Sequence, residues 1–107
     1  MINIKFDDTQ VKKDEILSLS NAVRDMVAKA TEIKDVFVYA DSPDIKVQVA
    51  PIEIFIEMGV KEFEKINRNT LIKEIKTKLQ VWKKEVDFNH SINITLTPVD
   101  WDFEIGI

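Results

Sequence analysis

Cysteine is absent from the 107 residues, which removes disulfide frameworks, thiolate metal sites and cysteine nucleophiles and fits a reducing compartment. Glycine occurs only at Gly59 and Gly106, so no glycine-rich phosphate loop can form and no cofactor is expected. His90 is the single histidine; with no second His or Cys and no carboxylate at ligand spacing, no metal site is expected. No apolar run approaches the roughly 18 residues of a membrane span. The opening MINIKFDD lacks a basic start followed by an apolar core, so a cytoplasmic protein without a membrane partner is expected. Positive charge is not in excess: 15 Lys and Arg face 19 Asp and Glu, a net charge of -4, which argues against nucleic acid as partner.

What is present describes one folded domain, residues 1–107. Hydrophobic residues make up 45% and charged residues of both signs 32%, the composition of a charged surface over an apolar interior. Ile2, Ile4 and Phe6 alternate with Asn3 and Lys5, a strand over 2–6. Ile16, Leu19, Val23, Met26 and Ala30 recur at spacings of three and four, an amphipathic helix over about 12–31. Val36–Ala40 is β-branched and aromatic on both faces and predicts a central strand. Asp41–Asp44 is turn chemistry around Pro43; Ile45, Val47 and Val49 then alternate as a short edge strand closed by Pro51. Ile52, Ile54, Ile56 and Met58 form the cleanest period-two segment, broken at Gly59. A charged connection around Phe63 and Ile66 leads to a second helix over 69–86, with Asn67 or Thr70 at its start and Leu71, Ile75, Leu79 and Trp82 on its apolar stripe. Ile92, Ile94 and Leu96 predict a strand over 92–97, Pro98 interrupts it, and Trp101, Phe103, Ile105 and Ile107 predict a last strand.

The two halves repeat one order, strand, crossover helix, strand, in residues 1–44 and 51–107. Each crossover predicts a right-handed parallel pair, giving an α/β (α+β) protein with a mixed sheet and helices on one face. Two arrangements fit: the ferredoxin-like split βαβ fold, or two intact βαβ units lying antiparallel in one sheet. Either leaves a sheet face uncovered, and the surplus apolar residues Ile45, Val47 and Val49 and the tail predict self-association.

Pro51-Ile52-Glu53-Ile54-Phe55-Ile56, Thr70-Leu71-Ile72-Lys73-Glu74-Ile75, Ile92-Asn93-Ile94-Thr95-Leu96 and the ending Trp101-Asp102-Phe103-Glu104-Ile105-Gly106 resemble the tautomerase superfamily, which includes macrophage migration inhibitory factor and carboxymethyl-hydroxymuconate isomerase. The resemblance implies a homotrimer with an inner barrel of sheets, helices outside and each C-terminal strand reaching a neighbour. It also implies an N-terminal proline as the base that moves a proton on a keto acid. This sequence departs there: it begins Met1-Ile2, and Ile2 should leave Met1 in place. Pro51, at the matching position of the second half, has a tertiary amide nitrogen with no proton and no useful lone pair. The substrate arginine of the family's first turn is likewise missing from Asp7-Asp8-Thr9-Gln10-Val11-Lys12-Lys13, whose aspartates would repel a carboxylate.

The groups left for chemistry are few. The α-amino group of Met1 could act as a base if an apolar pocket lowered its pKa. Glu53 and Glu57 share a strand face at i, i+4, and Asp102 and Glu104 share one near Trp101; Glu53 is the carboxylate alternative for proton transfer. Lys61 and Arg68 fall in the connection equivalent to the missing arginine turn, with Arg68 the anion-ligand candidate. Ser18, Ser20, Ser42 and Ser91 lack a nucleophile-elbow context. The expectation is a homotrimeric, tautomerase-like protein, non-enzymatic or cryptic. Its ligand would be a small carboxylate held between subunits near Met1, Ile2, Tyr39, Arg68 and Trp101. The alternatives are an isomerase or tautomerase using another base, and a ferredoxin-like assembly or regulatory module.

Overall fold

The computed structural model describes residues 1–100 and 106–107; the predicted C-terminal strand, with Trp101, Asp102 and Glu104, lies outside the described residues. Its elements are β1 (Ile2–Phe6), α1 (Lys13–Thr31), β2 (Val38–Asp41), β3 (Ile52–Gly59), α2 (Val60–Lys65), α3 (Arg68–Glu85) and β4 (Ile92–Val99). In β1 and β3 the alternation of the sequence becomes an alternation of burial: Ile2, Ile4, Ile52, Ile54 and Ile56 are at most 1% exposed and face the helices. Against them pack Ile16, Leu19, Val23 and Val27 of α1 and Leu71, Ile75 and Leu79 of α3, the stripes set by helical spacing. Each fully buried aliphatic side chain contributes roughly 1.5–3 kcal/mol of transfer free energy to this single core.

The strand order is β2-β1-β3-β4. Each crossover pair is parallel and adjacent, β1 with β2 and β3 with β4, and the two pairs meet antiparallel at β1 and β3. A split βαβ fold would place another strand inside each pair, so this order excludes the ferredoxin-like alternative. The face opposite the helices carries Asn3, Lys5, Tyr39, Asp41, Glu53, Phe55 and Glu57, by register and alternation.

Four local expectations are corrected. The strand expected over 36–40 is Val38–Asp41 and lies at the sheet edge, not its centre. Residues 45–49 form no strand: Ile45 is 88% and Val47 99% exposed, because among the described residues no strand lies beside them and Lys46 is tied down to Asp7 and Asp8. The charged connection after Gly59 contains the helix α2, which buries Phe63 against the core. Pro98 does not end β4, which runs to Val99 opposite Gly59; β4 is an edge strand of the described sheet, where a missing amide is tolerated.

Helix ends follow the residues. Glu15 Oε1 accepts from the Lys12 amide at 3.0 Å at the start of α1, and Asn67 Oδ1 accepts from the Thr70 amide at 3.1 Å at the start of α3. Both long helices are followed by an acidic residue with positive φ, Glu32 at 61° and Asp87 at 56°. Beyond α3, Phe88 is buried with its ring 5.1 Å from Trp82 and 5.2 Å from His90, and His90 Nε2 lies 2.9 Å from Glu15 Oε2.

Candidate functional site at the amino terminus

The antiparallel register Ile2↔Ile56 places Met1 opposite Glu57. The pair closes with two backbone bonds: the Met1 amino group donates to the Glu57 carbonyl at 2.9 Å, and the Glu57 amide donates to the Met1 carbonyl at 2.8 Å. The chain terminus is thereby fixed at the end of the central strand pair. Asn3 Nδ2 donates to Glu57 Oε1 at 3.2 Å, which orients that carboxylate. Desolvation lowers the Met1 amino pKa below its ordinary value of 8.0, and the nearby Glu57 charge opposes part of the shift.

Met1 and Ile2 line a cleft of about 480 Å³. The first half supplies one wall through Val27 of α1 and Ile33, Asp35 and Val36 of the connection to β2. The second half supplies the other through Ile56–Gly59 of β3, Val60, Lys61 and Glu62 of α2, and Val99 and Asp100 at the end of β4. The charged residues of this lining are Met1 through its amino group, Asp35, Glu57, Lys61, Glu62 and Asp100, of which Glu57 turns its carboxylate toward Asn3 on the helix-free face; the lining also includes the buried Ile2, Val27, Ile56 and Met58.

Of the residues singled out in the sequence, Met1 and Ile2 are brought to this cleft, Ile2 as part of its floor with no exposed surface. Tyr39 is 56% exposed on β2, opposite Asn3 on the helix-free face, and is not in the lining. Arg68 lies at the start of α3 with its guanidinium 4.7 Å from the centre of the Phe63 ring, a cation–π contact outside the lining. Glu53 sits at the other end of β3 in register with Lys5 and Asn93, about 13 Å along the strand from Glu57. Trp101 lies outside the described residues. Lys61, weighed only as an equivalent of the missing arginine, does line the cleft. Asp35, Glu62 and Asp100 were missed, because they come from three separate connections. Glu57 was legible as a strand carboxylate, but its place opposite Met1 required the register. Among the described residues no group of three His, Cys, Asp or Glu is placed to hold a metal ion.

The opposite end of the β1–β3 pair is closed. There the Asp7 amide donates to the Pro51 carbonyl at 3.0 Å, and the buried Asp7 carboxylate accepts from Gln10 Nε2 at 2.8 Å, Thr9 Oγ1 at 2.7 Å and the Thr9 amide at 3.0 Å, with Lys46 Nζ at 3.4 Å. The Gln10 bond first, then the Thr9 bonds, hold its pKa far below the ordinary carboxylate range.

No family model and no curated protein matches this sequence. Solved structures do. The chain superposes on the crystal structure of native Ps01740 with a TM-score of 0.61 and 10% identity, over 96% of this chain and 98% of that one. It superposes on FG41 malonate semialdehyde decarboxylase inhibited by 3-bromopropiolate with a TM-score of 0.59 and 15% identity, over 100% of this chain and 91% of that one. That decarboxylase belongs to the tautomerase superfamily. Two intact βαβ units, joined antiparallel through their first strands and covered on one face by helices, give this chain the tautomerase-like fold.

Proposed function

We propose that this protein is a homotrimeric, non-enzymatic member of the tautomerase-like fold that binds a small molecule in the cleft beside Met1. The observation that carries this reading is the cleft itself: the fold presents its amino terminus to a cavity, and the residue there is Met1, a primary amine, with no proline. Assembly is supported by apolar surface gathered around the β2 edge, where Phe37, Tyr39, Ile45 and Val47 are all more than half exposed. A small carboxylate, the class to which 3-bromopropiolate belongs, would meet the Met1 ammonium and Lys61 in the cleft, with Asp35, Glu62 and Asp100 also in its lining. The test joins light scattering after size exclusion to intact mass of the N-terminus and a ketonisation assay with phenylenolpyruvate. The expected result is a particle of three 12.4 kDa chains, Met1 retained, and no ketonisation above the buffer rate. A monomer or dimer overturns the assembly, and turnover overturns the non-enzymatic reading.

One observation favours a second reading, a tautomerase using the Met1 amine as general base. Desolvation shifts that amine toward its neutral, proton-accepting form near neutral pH. Ketonisation with an acid limb below pH 8.0, lost when the amine is acetylated, would establish it.

A further inference from the structure

The connection from α3 to β4 reaches across to the first half of the chain. It turns at Asp87, whose φ is 56°, and the Phe88 amide donates to the Lys83 carbonyl at 2.9 Å. Phe88 is buried against Trp82, and the His90 ring stands edge-on to Phe88 at 5.2 Å. This packing carries the imidazole to the start of α1, 75 residues away in sequence, where Nε2 lies 2.9 Å from Glu15 Oε2. Glu15 Oε1 accepts from the Lys12 amide at 3.0 Å, so one carboxylate serves the first turn of α1 and the second half of the chain together. Both side chains are partly withdrawn from water, at 22% and 30% exposure, which weakens screening relative to a fully solvated pair.

The charged groups around this contact are Glu15 and the exposed Asp14 on α1, Lys12 before it, Lys83 on α3 and the exposed Asp87 in the connection itself; β4 carries none. Among the described residues, Glu15 supplies the carboxylate within ion-pair reach of the ring. The Lys12 amide bond, against some desolvation, and then His90 hold the Glu15 carboxyl below its ordinary 4.5, so it is charged where a histidine takes up its proton, at about pH 6.5. A neutral imidazole with its proton on Nε2 donates one bond to that carboxylate; an imidazolium keeps the bond and adds the attraction of opposite charges.

We propose that Glu15 and His90 form an acid-strengthened clasp between the two halves, a neutral hydrogen bond in alkaline solution that becomes an ion pair as the imidazole takes a proton from solvent. The clasp depends neither on the cleft nor on assembly. It holds most firmly where both partners are charged, below about pH 6.5 and above the ordinary glutamate value of 4.5. The depressed Glu15 pKa sets the acid side: its contribution is complete above 4.5 and disappears as pH falls through the folded value. As the clasp slackens toward alkaline pH, residues 87–91 are left to the Phe88 amide bond and ring packing, and β4 starts from a looser anchor.

A double-mutant cycle on the full-length protein tests this, with His90→Gln and Glu15→Gln singly and together; glutamine at position 15 keeps a carbonyl for the Lys12 amide. Urea titrations should give a coupling factor in the unfolding constant of at least about threefold near pH 6, reduced by added salt, and below about 1.5-fold near pH 8.5. After correction for intrinsic exchange, wild-type amides from Phe88 to Ser91 should be better protected from deuterium near pH 6 than near pH 8.5, and those of His90→Gln equally protected at both. Equal coupling at the two pH values overturns the clasp in favour of a fixed hydrogen bond. Absence of coupling at both overturns the contact itself.

Discussion

The two ends of the β1–β3 pair occupy equivalent places in a repeated fold, and they differ in the connection that leaves the strand. After β1 the chain makes the tight turn of Asp7–Val11, whose carboxylate is surrounded by donors, and Lys46 closes over it. After β3 the chain enters the six-residue helix α2, which stands away from Met1 and leaves a cleft. The cores of the two halves are nearly interchangeable, Ile2, Ile4 and Phe6 against Ile52, Ile54 and Ile56; the connections are not. Two βαβ units therefore make one stable sheet, while a local difference in one connection decides which end carries a cleft.

The comparison can be tested from its strongest to its weakest element. Ile4 and Ile54 face each other across the joint, so Ile4→Ala and Ile54→Ala should each lower unfolding stability by about 2–5 kcal/mol in urea titrations. Losses that differ widely between the two would show that the halves do not share the core equally. Next is the closed end. Asp7→Asn removes a carboxylate whose folded pKa is depressed, so the stability it contributes is complete above the ordinary value of 3.8 and disappears as pH falls through the folded value. Wild type should exceed the variant at pH 7 in urea midpoint, and the gap should narrow steadily below pH 3.8. A gap independent of pH would assign the effect to packing.

Asn67→Ala removes the cap of α3 and should cost about 1 kcal/mol in the same titration, with no counterpart at Lys12, whose side chain accepts no such bond. The smallest effect concerns the helix ends. Glu32→Gly relieves a left-handed backbone at a side chain that tolerates it poorly and should gain about 0.5–1 kcal/mol. Asp87→Gly should gain less, since aspartate enters that region more readily. Equal gains would remove the distinction between the two ends.

The architecture was legible wherever a face had to be buried. Ile52, Ile54, Ile56 and Met58 alternate because one side of β3 meets helices, and the same pattern in β1 marks its bounds. Residues 45–49 alternate without forming a strand for a related reason: alternation records a requirement for one apolar face, and says nothing about whether a neighbouring strand is present in the same chain. Helix α2 left no periodic trace because six residues bury only Phe63. At the site, Met1 was legible through the chemistry of a terminal amine. Arg68 carries a charge type that suggests an anion, and only the structure shows its guanidinium over Phe63, outside the cleft lining. Asp35, Glu62 and Asp100 converge only through the topology, and no spacing in the sequence announces convergence of that kind.

The strand order also governs how the molecule comes apart. Among the described residues, the strand pairing between the two halves of the sheet runs through β1 and β3, whose partners are about fifty residues distant in the chain. Separating those strands leaves two ribbons of two parallel strands, each with its apolar inner face opened to water and its inner edge unpaired, and such ribbons do not persist alone. The halves that look like independent modules are thus obliged to lose their order together, and a chain built by repetition melts as one body.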